Sequence, residues 1–160
     1  MLLIERSCDA GSTASERLVL SFDARCKSRL RTRLESGEEV GIFLEAGGVM
    51  RGGDKLQGSD GRIVEVVAAP ERLMEVRGPS PQSLARFAYH LGNRHVTVQI
   101  GDGWLRFAAD HVLRQMLVGL GADVAEVLAP FEPEGGAYAP GHAHHTHGGP
   151  SKIHQYGSDQ

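Results

Sequence analysis

The chain has 160 residues, of which 41% are hydrophobic and 23% are charged, the usual balance of a soluble globular protein. Its formal net charge of −3 gives no overall attraction to nucleic acid or to an anionic membrane. No run approaches the roughly 18 apolar residues that a membrane-spanning helix needs, and no signal peptide is recognisable. The two cysteines have no ligand spacing, so we expect free thiols and a cytoplasmic protein.

The first part of the chain, residues 1–72, is predicted to be a small β-rich domain. Apolar and polar residues alternate over 18–23 and 40–45, and 63–69 is a dense β-branched run. Glycine-rich breaks separate these runs, and one of them ends in Asp60-Gly61, a pair favoured in tight hairpins. Short strands punctuated in this way indicate a small sandwich or an open barrel.

A basic stripe within this domain has two interpretations. Every odd position carries a cation, so that one strand would hold five of them on one face: Arg25, Lys27, Arg29, Arg31 and Arg33. Such a strand is either a solvated edge protected against aggregation or a docking surface for an acidic partner. A nucleic-acid site is disfavoured, because the chain is acidic and no aromatic residues lie between the cations.

Residues 73–133 are predicted to form a ferredoxin-like β-α-β-β-α-β domain with two helices on one face of a four-stranded sheet. The strands are expected at 73–77, 95–100, 104–107 and 124–129, and the helices at 80–91 and about 109–120. Ser80 and Pro81 are good residues for the start of the first helix, and Gly121 is a good stop for the second. From Pro130 onward the pattern offers little that could pack.

The corner Gly92-Asn93-Arg94-His95 joins that first helix to the next strand. We expect His95 to begin the strand on its polar face. Taken alone it is an ordinary surface or core residue or a metal ligand, and the histidines later in the chain favour the ligand.

The last segment, 134–160, is predicted to be a flexible tail that binds metal through its histidines. These residues are His142, His144, His145, His147 and His154. Imidazole suits nickel, copper and zinc, and one ordered histidine with a loose tail makes an incomplete, exchangeable site. The sequence carries no Gly-x-Ser-x-Gly, His-Glu-x-x-His, phosphate-loop or Cys-x-x-Cys motif, so we expect no enzyme.

These features together resemble the UreE family of urease accessory proteins over nearly the whole chain. The resemblance is carried by Gly92-Asn93-Arg94-His95, by 105–107 with 110–113, by 130–138 and by the histidine-rich end. It implies a metallochaperone that delivers Ni²⁺ to the urease apoprotein–accessory complex, with the urease accessory GTPase UreG as partner. It also implies a peptide-binding-like first domain and a homodimer in which His95 of both chains binds Ni²⁺ on the two-fold axis.

Some members of that family have a further metal site, in which two histidines flank the aspartate before the second helix. Here the motif is Ala109-Asp110-His111, so one ligand is missing, and Asp110 and His111 are either a reduced site or surface residues. Zn²⁺ and Cu²⁺ are alternative ions in vitro, since imidazole ligands favour Cu²⁺ over Ni²⁺. Two other functions stay open, a nickel or zinc buffer and a peptide-binding adaptor with an incidental histidine tail.

Overall fold

The computed structural model describes residues 1–45 and 48–135, which form two β-sheets with short helices, so the prediction of a mixed α+β fold is confirmed. The strands are β1 Leu2–Cys8, β2 Glu16–Leu20, β3 Arg29–Arg33, β4 Glu39–Phe43, β5 Lys55–Gly58, β6 Ile63–Ala68, β7 Pro70–Arg77, β8 Gln99–Gly101, β9 Trp104–Ala108 and β10 Asp123–Pro130. The helices are α1 Phe22–Arg25, α2 Pro81–Gly92 and α3 His111–Gly119. Within the described ranges, no helix has the length and apolar character needed to cross a bilayer.

The first sheet has six strands in the order β2-β6-β5-β1-β4-β3. Its alternating residues, among them Ile4, Leu18, Ile42 and Val64, point into one buried cluster, which accounts for the period-two pattern of the sequence. Strands β4 and β6 were predicted, whereas β1 and β5 were not. Gly61 adopts φ +87° in the turn between β5 and β6, as the Asp-Gly pair indicated.

The basic stripe is shorter than predicted, because its first two members do not lie on the strand. Ser21 caps a helical turn at 22–25 by accepting a hydrogen bond from the backbone N–H of Ala24, which ends the strand expected at 18–23. Arg25 therefore lies in α1 and is completely buried. Lys27 precedes β3 and pairs with Asp23 at 2.7 Å. The prediction of five cations on one strand face was wrong.

The second sheet is antiparallel throughout, in the order β10-β7-β9-β8. Helices α2 and α3 pack on one face, where Phe87 and Leu117 meet Val76 and Phe107 in a second buried cluster. Strand β8 begins at Gln99, four residues later than expected, and both helices lie close to their predicted positions.

Residues 131–134 contact both halves of the chain, so the expectation that the segment from Pro130 onward has little to pack was wrong for these residues. Phe131 is 3% exposed and meets the ring of Phe22 edge-on, with 5.3 Å between centroids. Glu132 receives a hydrogen bond from Arg25 at 2.9 Å and one from the backbone N–H of Gly52 at 2.8 Å. Arg25 also donates to the carbonyl oxygens of Met50 and Phe131, so the buried guanidinium has partners from both halves of the chain.

Candidate metal centre

Helix α2 is fixed at its start by capping and along its length by burial. The hydroxyl of Ser80 accepts a hydrogen bond from the backbone N–H of Ser83 at 3.2 Å, and Pro81 occupies the first turn. Phe87 and Leu91 are buried in the second cluster. The position of the corner that follows α2 is therefore fixed by a well-packed helix.

The corner closes with the hydrogen-bond pattern of a Schellman motif. The backbone N–H of His95 donates to the carbonyl of Gly92 at 2.9 Å, and that of Val96 donates to the carbonyl of Leu91 at 3.1 Å. This pattern places His95 in the left-handed region with φ 56°, the only such non-glycine residue among those described. His95 thus terminates a helix, and the expectation that it begins a strand was wrong.

Helix α3 ends in the same motif with a glycine in the equivalent position. Gly121 has φ +89° and donates to the carbonyl of Val118 at 3.0 Å, while Ala122 donates to that of Leu117 at 3.0 Å. Glycine adopts this conformation without a Cβ clash, whereas an L residue is strained by about 1–2 kcal/mol. His95 is exposed in a position that a glycine would fill without strain, and residues in such conformations cluster at functional sites.

The electrostatic setting of His95 favours a cation. It follows the C-terminal end of a 12-residue helix, where the aligned peptide dipoles place partial negative charge. Across residues 1–45 and 48–135, no group of three or more His, Cys, Asp or Glu side chains is arranged to hold a metal ion. His95 therefore stays a predicted ligand, and the described part of a single chain offers no complete metal centre around it.

Asp110 and His111 lie at the opposite kind of helix end. Asp110 is the N-cap of α3, and its Oδ1 accepts a hydrogen bond from the backbone N–H of Leu113 at 2.9 Å. His111 is the first helical residue and is exposed. Partial positive charge at a helix N-terminus disfavours a bound cation. The observed role of Asp110 is helix capping, and a second metal site here stays a prediction.

The chain that leads to the histidine tail is held against the segment that follows the corner, at Val98 and Gln99. The backbone N–H of Glu134 donates to the carbonyl of Val98 at 2.9 Å, and that of Glu132 donates to the side-chain oxygen of Gln99 at 3.1 Å. Sequence reasoning missed this contact, although the apolar Phe131 amid polar residues was a usable signal of burial. The tail residues His142, His144, His145, His147 and His154 lie outside the described residues.

Glu132 is ionised in this setting. Its burial works to raise the pKa, but hydrogen bonds from Gly52 and Arg51, with the charge of Arg25, hold the pKa of Glu132 below its ordinary value. The segment before the tail is therefore fastened by charge as well as by the packing of Phe131.

Comparisons with known proteins cover both halves of the chain. A family model described as the N-terminal domain of the UreE urease accessory protein matches residues 4–69, and one described as its C-terminal domain matches residues 71–157. The urease accessory protein UreE of Nitrosospira multiformis is 49% identical over 157 residues, 98% of this chain and 89% of that protein. Those of Azotobacter vinelandii and Pseudomonas fluorescens strain Pf0-1 are 51% and 50% identical, over 98% of both chains in each case.

Proposed function

Because this chain belongs to the UreE family of urease accessory proteins, we propose that it is the nickel-binding metallochaperone of urease maturation, and that His95 is its ordered ligand. The family defines an accessory role in urease maturation, and it confirms the prediction that the chain is not an enzyme. The finer proposal concerns the metal, its ligands and the partners to which it passes.

The observation that carries the proposal is the strained, exposed position of His95 at the C-terminal end of α2. One imidazole per chain is too little for a metal centre, but a two-fold axis repeats each ligand that lies beside it, so a metal ion on the axis receives two. We propose that two chains form a homodimer, that their two His95 side chains bind Ni²⁺, and that tail histidines complete the shell. The contact between Glu134 and Val98 supports this, because it starts the tail near the corner.

The proposed site suits a cargo better than a resident ion. Two fixed imidazoles and several loosely held ones give a centre in which ligands exchange one at a time, so the metal leaves without unfolding the protein. The ion is Ni²⁺ by family, with Zn²⁺ and Cu²⁺ as competitors in vitro. The proposed recipients are the GTPase UreG and the urease apoprotein–accessory complex, in the cytoplasm.

The proposed division of the chain is a first domain at 1–72, a ferredoxin-like domain at 73–133 and a histidine-rich tail at 134–160. The two separate buried clusters support the first boundary, and the element order with the sheet order β10-β7-β9-β8 supports the ferredoxin-like arrangement. Residues 131–134 lie at the second boundary and contact both halves of the chain.

Calorimetry with Ni²⁺ tests the proposal on the full chain and on the His95→Ala variant, with mass measured alongside. We expect the variant to stay dimeric and to lose its tightest binding phase, because both fixed ligands disappear together. His111→Ala is the matched control, an exposed histidine at a helix end that should keep that phase. An unchanged tight phase in His95→Ala would place the nickel site elsewhere.

Transfer separates the chaperone from a buffer and from an adaptor. Mixed with UreG and apo-urease, the nickel-loaded chain should activate urease faster than free Ni²⁺ at the same total concentration. A buffer would slow activation, and an adaptor would bind its partner equally well without His95 and the tail.

A further inference from the structure

Strand β3 is an edge strand whose open side carries three arginines. It is the last strand of the six-stranded sheet, and β4 is its one strand neighbour in the described part of the chain. The register of the β3–β4 pair shows which backbone groups are used. Leu44 donates to the carbonyl of Ser28 at 2.8 Å, and Leu34 donates to that of Glu38 at 2.9 Å.

These two bonds fix the phase of the whole ladder, because bonded and non-bonded pairs alternate in an antiparallel pair. Leu30 and Thr32 therefore direct their N–H and C=O groups toward β4. The backbone groups of the intervening residues point away from the sheet: Arg29, Arg31 and Arg33. Within the described part of the chain, the three residues of β3 whose backbone groups point outward are thus also the three with exposed cationic side chains.

The open stretch of β3 ends at Arg33. Two residues later the N–H of Glu35 donates to the carbonyl of Arg17 on β2 at 2.9 Å, and the Glu35 carboxylate pairs with the Arg17 side chain at 3.2 Å, so the chain just beyond β3 meets the other edge strand of the sheet. An edge with free backbone groups can accept a further strand, and main-chain hydrogen bonds then supply much of the affinity.

We propose that the open edge of β3 docks an extended segment of a partner protein that carries Asp or Glu at every second position. The added strand runs antiparallel, so residues directly opposite Arg29, Arg31 and Arg33 exchange backbone hydrogen bonds with them. Side chains opposite one another lie on the same face, so carboxylates at alternate positions meet the guanidinium groups. A run of consecutive acidic residues would place half of its charge on the wrong face.

An internal competitor occupies part of this surface. The carboxylate of Glu39 on β4 lies 2.8 Å from the guanidinium of Arg31 and 2.8 Å from that of Arg33, while the side chains of these arginines are 72% and 63% exposed. The hydrogen bond from Arg31 is the main cause that lowers the pKa of Glu39, so Glu39 stays charged. An incoming acidic strand must displace it, which limits affinity and makes binding reversible.

The proposal is tested by fluorescence anisotropy of short labelled peptides with the full chain, at about 20 mM and about 150 mM salt, where screening differs. One peptide alternates Glu with Val or Thr, and a second has the same composition with its glutamates consecutive. We expect the alternating peptide to bind at least about fivefold more tightly, an effect of the size of two or three exposed charge pairs. Equal affinities would overturn strand addition, and no binding of either at low salt would leave the arginines as protection against aggregation.

Methylation of the peptide backbone tests strand addition on the unaltered protein. A methyl group on the amide nitrogens of the glutamates blocks hydrogen bonds that face β3, whereas methyl groups on the intervening residues face away. Only the first set should abolish binding. If both sets weaken it equally, the peptide does not add as a strand.

Variants of the chain separate charge from backbone. Arg31→Ser should weaken binding about threefold, and Glu39→Gln should strengthen it about threefold by freeing two guanidinium groups. Arg31→Pro also removes an outward N–H that the sheet does not use, and should weaken binding about tenfold or more with its thermal transition retained. Arg17→Ser removes an exposed arginine of β2 and is the matched control, which should change nothing. If Glu39→Gln binds the peptide more weakly than the natural chain, the proposed docking surface on β3 is refuted, whether or not the proline variant folds. These assays contain no nickel, so they do not depend on the proposed metal site.

Discussion

Replacing His95 with glycine separates the effect of this residue on metal binding from its effect on the free energy of unfolding. The left-handed conformation destabilises an L residue by about 1–2 kcal/mol, and glycine relieves that strain. Glycine also gives the unfolded chain more conformational freedom, which lowers the free energy of unfolding by about 0.5–1 kcal/mol. With φ 56° and an exposed side chain, His95→Gly should raise the free energy of unfolding by about 0.5–1 kcal/mol. His95→Ala keeps a Cβ atom and should be no more stable than the natural chain.

The assay is urea unfolding of metal-free protein at one fixed protomer concentration, because association with a second chain changes apparent stability. Gly121→Ala is the matched control at the end of α3, where a Cβ is introduced at φ +89°. It should lower the free energy of unfolding by about 1–2 kcal/mol. Calorimetry on the same samples should show that His95→Gly has lost its tightest nickel phase despite its higher stability.

Two results would refute this reasoning. If His95→Gly is less stable than His95→Ala, the corner is not held in the left-handed conformation described. If the glycine variant keeps the tight nickel phase, the histidine is a helix terminus only.

Three further changes test other parts of the molecule. Deleting residues 141–160 should lower the number of nickel ions per dimer but keep one site, so loss of all binding in calorimetry would contradict a fixed centre. Asp110→Ala removes the cap of α3 and should cost about 1 kcal/mol in urea unfolding with the tight nickel phase intact, whereas its loss would assign Asp110 to the metal. Glu132→Gln should destabilise by about 1–3 kcal/mol at pH 7, because the buried guanidinium of Arg25 loses its counter-charge. The pKa of Glu132 in the folded protein lies below its ordinary 4.5, so the contribution of its charge to the free energy of unfolding is complete above pH 4.5 and is lost as the pH falls through the folded pKa. If Glu132→Gln is destabilised relative to the natural chain by the same amount at pH 7 and at pH 3, the pairing is disproved.

The elements that follow one repeating pattern were predictable from the sequence. Strands β6 and β9 and helices α2 and α3 bury a face with the period of their own backbone, and Gly121 ends α3 as expected. The repeating pattern gave the wrong element where a side chain forms a local hydrogen bond with the backbone. Phe22 fits the alternation of a strand, but the hydroxyl of Ser21 captures the N–H of Ala24 and starts a helical turn.

Contacts between distant segments were out of reach of local reasoning. In the sequence, Arg25 is one of five alternating cations, and nothing near it indicates burial. In the structure it binds Glu132 and the carbonyl of Phe131, which lie more than 100 residues away in the chain. His95 was selected by its residue type and its position after a helix, but its left-handed backbone could not be foreseen, because Gly92 offers a more usual stop. Asp110 as a helix cap required only the local sequence.

The buried Arg25 also bears on how the chain acquires its structure during synthesis. Its carboxylate partner lies 107 residues further along, so the six-stranded sheet leaves the ribosome with a guanidinium that has no counter-ion. Until Glu132 emerges, that charge must stay hydrated, which keeps α1 and the neighbouring loop open. We therefore expect the first half of the molecule to complete its packing only after the second half has been made, so that a nascent chain arrested before residue 132 remains sensitive to protease around α1.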